Sequence, residues 1–281
     1  VDALRAPREP PLPASTRELL PSALGVWGIT AAQQGRYATW AARSELALAA
    51  ATARNDPREQ ARNRLNLGNA VKMLGRYDEA EQHLLRASSE LEALGETRLL
   101  ADCRLVLSQI ARHQDRLEEA ERGARSALDL NRACGSRYAA ASTENSLGDV
   151  LRALGRLDEA EAAFRRAAAE LEALGSSDAP FPILNLGLLL RGQGRDAEAD
   201  ALFVEVEQTA RRDSLFAPEL AACVCLLAGF ELTQRSDRWE ERAQRIERLL
   251  GERTVVDSDF EAAASLAADR AEAAGETGRG A

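Results

Sequence analysis

Few residues in this chain could do covalent or metal chemistry, and their spacing supports neither. Two histidines, His83 and His113, stand apart from four cysteines, Cys103, Cys134, Cys223 and Cys225. No CxxC pair and no zinc-ligand spacing joins them, so the thiols read as small buried side chains in a reducing compartment. The chain has no GxSxG elbow, no HExxH helix and no phosphate-cradling Gly-Lys-Ser or Gly-Lys-Thr loop. Its many carboxylate pairs fall at solvated helix-surface spacing, a poor setting for acid–base catalysis. The expectation is a protein that is not an enzyme and uses no cofactor and no metal. Hydrogen-bonding and ionic chemistry remain, carried by asparagines and arginines that return at a fixed interval.

That interval is set by a short turn. It recurs as Gly35-Arg36-Tyr37, Gly75-Arg76-Tyr77-Asp78-Glu79-Ala80, Asp115-Arg116-Leu117-Glu118-Glu119-Ala120, Gly155-Arg156-Leu157-Asp158-Glu159-Ala160 and Gly194-Arg195-Asp196-Ala197-Glu198-Ala199, at spacings of 40, 40, 40 and 39. A weaker sixth copy, Asp237-Arg238-Trp239-Glu240-Glu241, follows 43 later. A strict period of this length belongs to stacked supersecondary units rather than to one globular core. Aromatics make up only 4% of a chain that is 45% hydrophobic, so Ala and Leu dominate and the units are expected to be helical.

The punctuation agrees. Asp56-Pro57 places an N-cap before a proline at the first helical position, and Pro21, Pro180 and Pro218 fall near the equivalent point. Gly95, Gly135 and Gly175 suit the left-handed C-terminal cap. Residues 1–16, with Pro7, Pro10, Pro11 and Pro13, read as an extended linker or a proline-motif ligand. Residues 17–256 form the repeat array. Residues 257–281 carry one more helix, at 257–275, followed by Gly278-Arg279-Gly280-Ala281. That helix is either a solvating cap or the start of a seventh repeat. Val1 in place of Met makes the chain read as part of a larger one.

A net charge of −9 and a pI near 5.1 argue against nucleic acid as a direct partner. No apolar run is long enough to span a bilayer and no signal peptide opens the chain, so no membrane association and a cytoplasmic location are expected.

Within each unit one apolar register repeats. Leu67, Gly68, Val71, Gly75, Ala80, Leu84 and Ala87 match Leu147, Gly148, Leu151, Gly155, Ala160, Phe164 and Ala167, and then Leu186, Gly187, Leu190, Gly194, Ala199, Phe203 and Val206. Steps of three and four put each set on one helical face. Small residues such as Gly68 and Ala80 let two helices approach, while Leu84 or Phe164 fills the space between neighbours. The third copy departs from this pattern with Ser108 and Asp115, and the first with Trp27 and Trp40.

This register resembles the tetratricopeptide repeat, in the 40-residue variety of Leu-Gly-Asn-repeat adaptors, kinesin light chains and bacterial regulators. Asn66-Leu67-Gly68-Asn69 and Asn145-Ser146-Leu147-Gly148-Asp149 carry the likeness, which spans about 20–255. It implies an all-α, right-handed superhelical solenoid of about six helix pairs plus a terminal helix. It further implies that the first helix of each pair lines a concave groove and the second forms the convex layer.

On that geometry the first helix at 57–75 carries Arg58, Arg62, Arg64 and Lys72 against Glu59 alone, the next at 96–114 keeps a balance of +1, and those at 136–154 and 176–193 balance to zero. The second helices are acidic. Such a groove would favour an acidic peptide, although carboxylates early in a helix also suit its dipole. The resemblance gives Asn66, Asn69, Asn145 and Asn185 the role of holding an extended peptide backbone, against the alternative of bonds to a neighbouring helix or to water. Arg62, Lys72, Gln109, Arg112, Asp149, Arg152 and Arg191 project from the same surfaces. Arg36, Arg76, Arg116, Arg156 and Arg195 belong to the turns, where capping or pairing between repeats is expected. The functional expectation is a non-catalytic module that binds a protein or peptide. The alternative is the sensory or scaffolding region of a larger bacterial signalling protein.

Overall fold

The computed structural model describes residues 36–215 and, beyond them, 218, 219, 222, 223, 225, 226, 244–246 and 248. The proline-rich linker, Pro21, Trp27, Gly35, the sixth turn and the terminal helix lie outside the described residues. The chain divides into two compact units, with the boundary between Glu96 and Thr97.

In the first unit, α1 (Tyr37–Ala53) packs on α2 (Pro57–Met73), and α2 on α3 (Tyr77–Ala93). The second unit runs through α4 (Thr97–His113), α5 (Leu117–Ala133), α6 (Arg137–Ala153), α7 (Leu157–Ala173), α8 (Pro180–Gly192) and α9 (Asp196–Arg212), each packed on the next. No strand occurs among the described residues.

The helices end where the backbone turns left-handed. At Gly75 (φ +74°) the N–H of Gly75 bonds the Lys72 carbonyl at 2.9 Å and that of Arg76 bonds the Val71 carbonyl at 3.2 Å. The second of these is the six-to-one bond of a Schellman cap. Gly95, Gly135 and Gly175 take positive φ as the cap position requires. Asp115 holds the same conformation, φ +59°, without being glycine. Asp56 caps α2 by accepting from the Glu59 N–H at 3.1 Å. Eight of the nine described helices have 17 residues, and α8 has 13. It begins late because Pro180 and Pro182 are tolerated only in a first turn, where N–H groups have no helical acceptor.

The core follows the register. Ala80, Leu84, Ala160, Phe164, Ala199 and Phe203 are all fully buried. Glycine makes this possible: a Cβ on Gly68 would sit 2.6 Å from Leu84 Cγ, one on Gly148 2.6 Å from Phe164 Cε1, and one on Gly187 2.5 Å from Phe203 Cε1. In the departing copy both partners change. Ser108 stands in the glycine position, and α5 offers Ala124 and Gly123 in place of a bulky residue. The Ser108 hydroxyl then donates to the Ala120 carbonyl at 2.6 Å. The cysteines are free thiols, with Cys103 and Cys223 buried and Cys225 half-buried. Cys134 is exposed, contrary to the expectation of buried thiols, because it falls at the C-cap of α5 rather than on its packed face.

Candidate functional site

Curvature identifies the inner layer of the second unit. Cα atoms of consecutive first helices, α4 to α6 and α6 to α8, come within 8 Å, whereas no consecutive second helices among the described residues do. The first helices are therefore on the inside of the bend. Each presents a stripe at i, i+4, i+7: Asp102, Val106 and Gln109 on α4, Ser142, Ser146 and Asp149 on α6, and Phe181, Asn185 and Leu188 on α8.

Between α4 and α6 these stripes bound a pocket lined by Gln109, Arg112, His113, Ser146 and Asp149 over Ser108 and Val150. Gln109 reaches the Ser146 hydroxyl at 3.5 Å. Asp149 accepts from Arg152 at 3.1 Å, yet burial dominates and pushes its carboxyl above the usual range against the pull of Arg152 and Arg112. The pocket thus offers donors and acceptors together, which is what a peptide backbone needs. One step along, Asn185 donates to Asn145 at 3.0 Å, so these two amides bridge adjacent first helices. Leu188, at the position held by Gln109 and Asp149, is 41% exposed.

The structure brings Gln109, Arg112, Asn145, Asp149, Arg152 and Asn185 into this layer. Arg191 turns away from it. Its guanidinium pairs with Asp200, reaches the Cys225 carbonyl and lies 4.8 Å from the centre of the Phe203 ring. In the first unit, Arg62, Asn66, Asn69 and Lys72 share one half-buried face of α2.

The basic excess of α2 is largely matched. Arg58 pairs with Glu96 at 2.5 Å, Arg62 with Glu59 at 3.0 Å and Arg64 with Glu90 at 3.1 Å. Ser146, His113, Phe181 and Leu188 were missed as site residues. The register alone carries a signal for Ser146 and Leu188, which align with Asn66 and with Asn69 and Asp149.

The turn arginines link the repeats. Arg156 joins Glu159 at 2.6 Å and, across to α5, Glu121 at 2.7 Å. Arg195 joins Glu198 at 2.7 Å and Glu161 of α7 at 2.8 Å. Burial would raise the Glu121 pKa, but hydrogen bonds from Arg125 and Arg156 hold it below the usual range.

Stacked antiparallel helix pairs with a 40-residue period, closed by glycine caps and opened by an arginine turn, define a helical repeat array. Residues 104–173 match the tetratricopeptide repeat family, and helix pairs of the same register lie on either side of the matched residues. No match was found among curated protein sequences. Similar solved structures include a Rap protein complexed with Competence and Sporulation Factor, at 16% identity and TM-score 0.69, covering 90% of this chain and 74% of that one. The Rap conjugation gene regulator of plasmid pLS20 in complex with the Phr* peptide aligns at 16% identity and TM-score 0.67, covering 96% of this chain and 80% of that one. A signal transduction ATPase with a tetratricopeptide repeat sensor, from Pyrococcus horikoshii, aligns at 14% identity and TM-score 0.67, covering 89% of this chain and 40% of that one. At these identities the likeness is one of fold.

Proposed function

We propose that the chain is a non-catalytic peptide-binding module whose inner first-helix layer takes an extended protein segment. The observation that carries this reading is the pocket of Gln109, Arg112, Ser146 and Asp149, continued by the Asn145–Asn185 bridge, on the inside of the bend. Side chains with donors and acceptors gather there on facing helices, while the rest of each helix buries alanine and leucine. Arg112 suits a carboxylate on the ligand, the asparagines suit its backbone, and the exposed Leu188 suits an apolar side chain further along. Two of the structural neighbours are Rap proteins, one in complex with the Phr* peptide and one with Competence and Sporulation Factor, which supports a peptide or protein ligand.

Calorimetry against a peptide library tests the reading. Acidic peptides should bind more tightly than basic ones at this layer, and Arg112→Glu should reverse that order. Asn185→Ala should weaken binding by roughly 0.5–1.5 kcal/mol per lost hydrogen bond. Binding unaffected by both substitutions would remove this layer as the site.

A second reading is favoured by the sensor-bearing ATPase, of whose length this chain covers 40%. Here the array senses a ligand for an effector domain encoded beside it. An adjoining kinase, ATPase or DNA-binding domain in the open reading frame would decide for it.

A further inference from the structure

On the second-helix side of the second unit, a cleft forms where one helix pair hands over to the next. It occurs twice, one repeat apart. The first cleft holds Arg132, Arg137, Glu144, Arg166 and Glu170, and each of its carboxylates is paired with at least one arginine. Glu144 accepts from Arg166 at 2.6 Å and from Arg132 at 3.5 Å, while Arg137 donates to Glu170 at 2.5 Å. In the second cleft the corresponding positions are Glu172, Ser177, Ile183, Glu205 and Thr209. All three arginines have gone. The buried Glu144 has become an apolar Ile183, which with Pro180, Val206 and Leu215 forms the floor. Among the described residues no cation lines this cleft, whose third carboxylate, Asp213, is already paired with its neighbour Arg212. The side-chain carboxylates of Glu172 and Glu205 make no hydrogen bond or ion pair among the described residues.

We propose that this second cleft is a binding site, separate from the inner layer, for an arginine side chain on a partner protein. The repeat itself supplies the template. One unit earlier, guanidinium groups of the chain line the equivalent cleft and pair with its carboxylates, and here the partner provides one. Its aliphatic stem lies on Ile183, Pro180 and Val206, as long basic side chains do on apolar surface. Its planar fork meets Glu172 and Glu205 in charge-assisted hydrogen bonds.

The test uses the full chain and three capped octapeptides of alanine and leucine, carrying one arginine, one lysine or one glutamine. The Ile183 methyl signal is followed by NMR during titration. The arginine peptide should shift it, the lysine peptide less so, and the glutamine peptide not at all. Glu172→Gln with Glu205→Gln should weaken the arginine peptide at least about fivefold, since both carboxylates are exposed and structurally undemanding. Ser177→Arg with Thr209→Glu recreates the ion pair of the preceding cleft. It should set the chain's own guanidinium beside the cleft carboxylates and abolish the shift while leaving the helical circular dichroism intact. Glu118→Gln, at an exposed carboxylate of α5 outside the cleft, should leave the shift unchanged. Equal response to the glutamine peptide, unchanged affinity in the double glutamine variant, or sensitivity to Glu118→Gln would each overturn the proposal.

Discussion

Asp115 and Gly148 show how much a single position decides here. Asp115 holds a left-handed conformation that glycine adopts at the equivalent turns, and an L-residue is strained there. Asp115→Gly should therefore stabilise the chain by about 0.5–1 kcal/mol, after the extra freedom that glycine has in the unfolded chain is offset. Urea denaturation would measure it, and a destabilised variant would show that the aspartate side chain contributes more than its backbone costs. Gly148 is the opposite case. Its missing Cβ is where Phe164 lies, so Gly148→Ala should cost about 1–3 kcal/mol by overpacking. Adding Phe164→Leu should recover part of that loss, and a double-mutant cycle would show the coupling. Asp149 concerns pH as well as binding. Its carboxyl is raised in the folded state, so the folded chain holds that proton more tightly than the unfolded one, and stability falls as pH rises through the raised value. Asp149→Asn should remove that fall and stabilise the chain near neutrality. It should also weaken any peptide that uses the carboxylate as acceptor. Thermal melts at a series of pH values would separate the two effects.

At the scale of the helix and its turn, Arg156 and Arg195 carry the ionic links between successive pairs. Hydrogen bonds from Arg165, and then from Arg195, hold the Glu161 pKa below the usual carboxylate range against the effect of burial. That stability is present above the ordinary carboxylate pKa and is lost as pH falls through the lowered one. Arg195→Ala should thus lower Tm near neutral pH, and the difference from the parent chain should shrink as acid protonates Glu161. A constant difference across the titration would assign the effect to lost packing instead.

Helices and turns were legible at this scale because glycine, proline and the three-four apolar step act locally. The late start of α8 was legible only in part, since Pro180 marks a beginning but Pro182 sets how far the first turn is delayed. Pairing across repeats was not legible. Arg191 sits in the same register as Arg112 and Arg152, yet it turns towards Asp200 and Phe203. The carboxylates that neutralise Arg58 and Arg64 come from 38 and 26 residues away. Which of several nearby acids an arginine meets depends on helix rotation, which a one-dimensional pattern leaves open.

For the molecule as a whole, the net charge of −9 acts on every approaching ligand. Local pairing leaves little basic excess on the described first helices, so the long-range field should favour basic segments even where the inner layer holds an arginine. Basic peptides should associate faster than acidic ones at low ionic strength. The gap should narrow near 0.15 M salt, where the Debye length is about 8 Å. Stopped-flow measurements at two salt concentrations would show it. Acidic peptides associating faster at low salt would mean that the local field of the groove outweighs that of the whole chain.

The matched sizes across each helix pair bear on how such an array can change over generations. Gly148 accepts Phe164 and Gly187 accepts Phe203, but Ser108 faces Ala124 and Gly123. Crossing α4 with a phenylalanine-bearing partner would drive the serine into the ring. Crossing α6 with α5 would leave a void of phenylalanine-to-alanine kind, costing roughly 3–5 kcal/mol. Recombination within a repeat therefore breaks these matched sizes, while recombination between repeats keeps them together. The heritable module of this chain is the intact pair, copied or lost as one piece, and breakpoints in its relatives should gather between second and first helices rather than at the arginine turn.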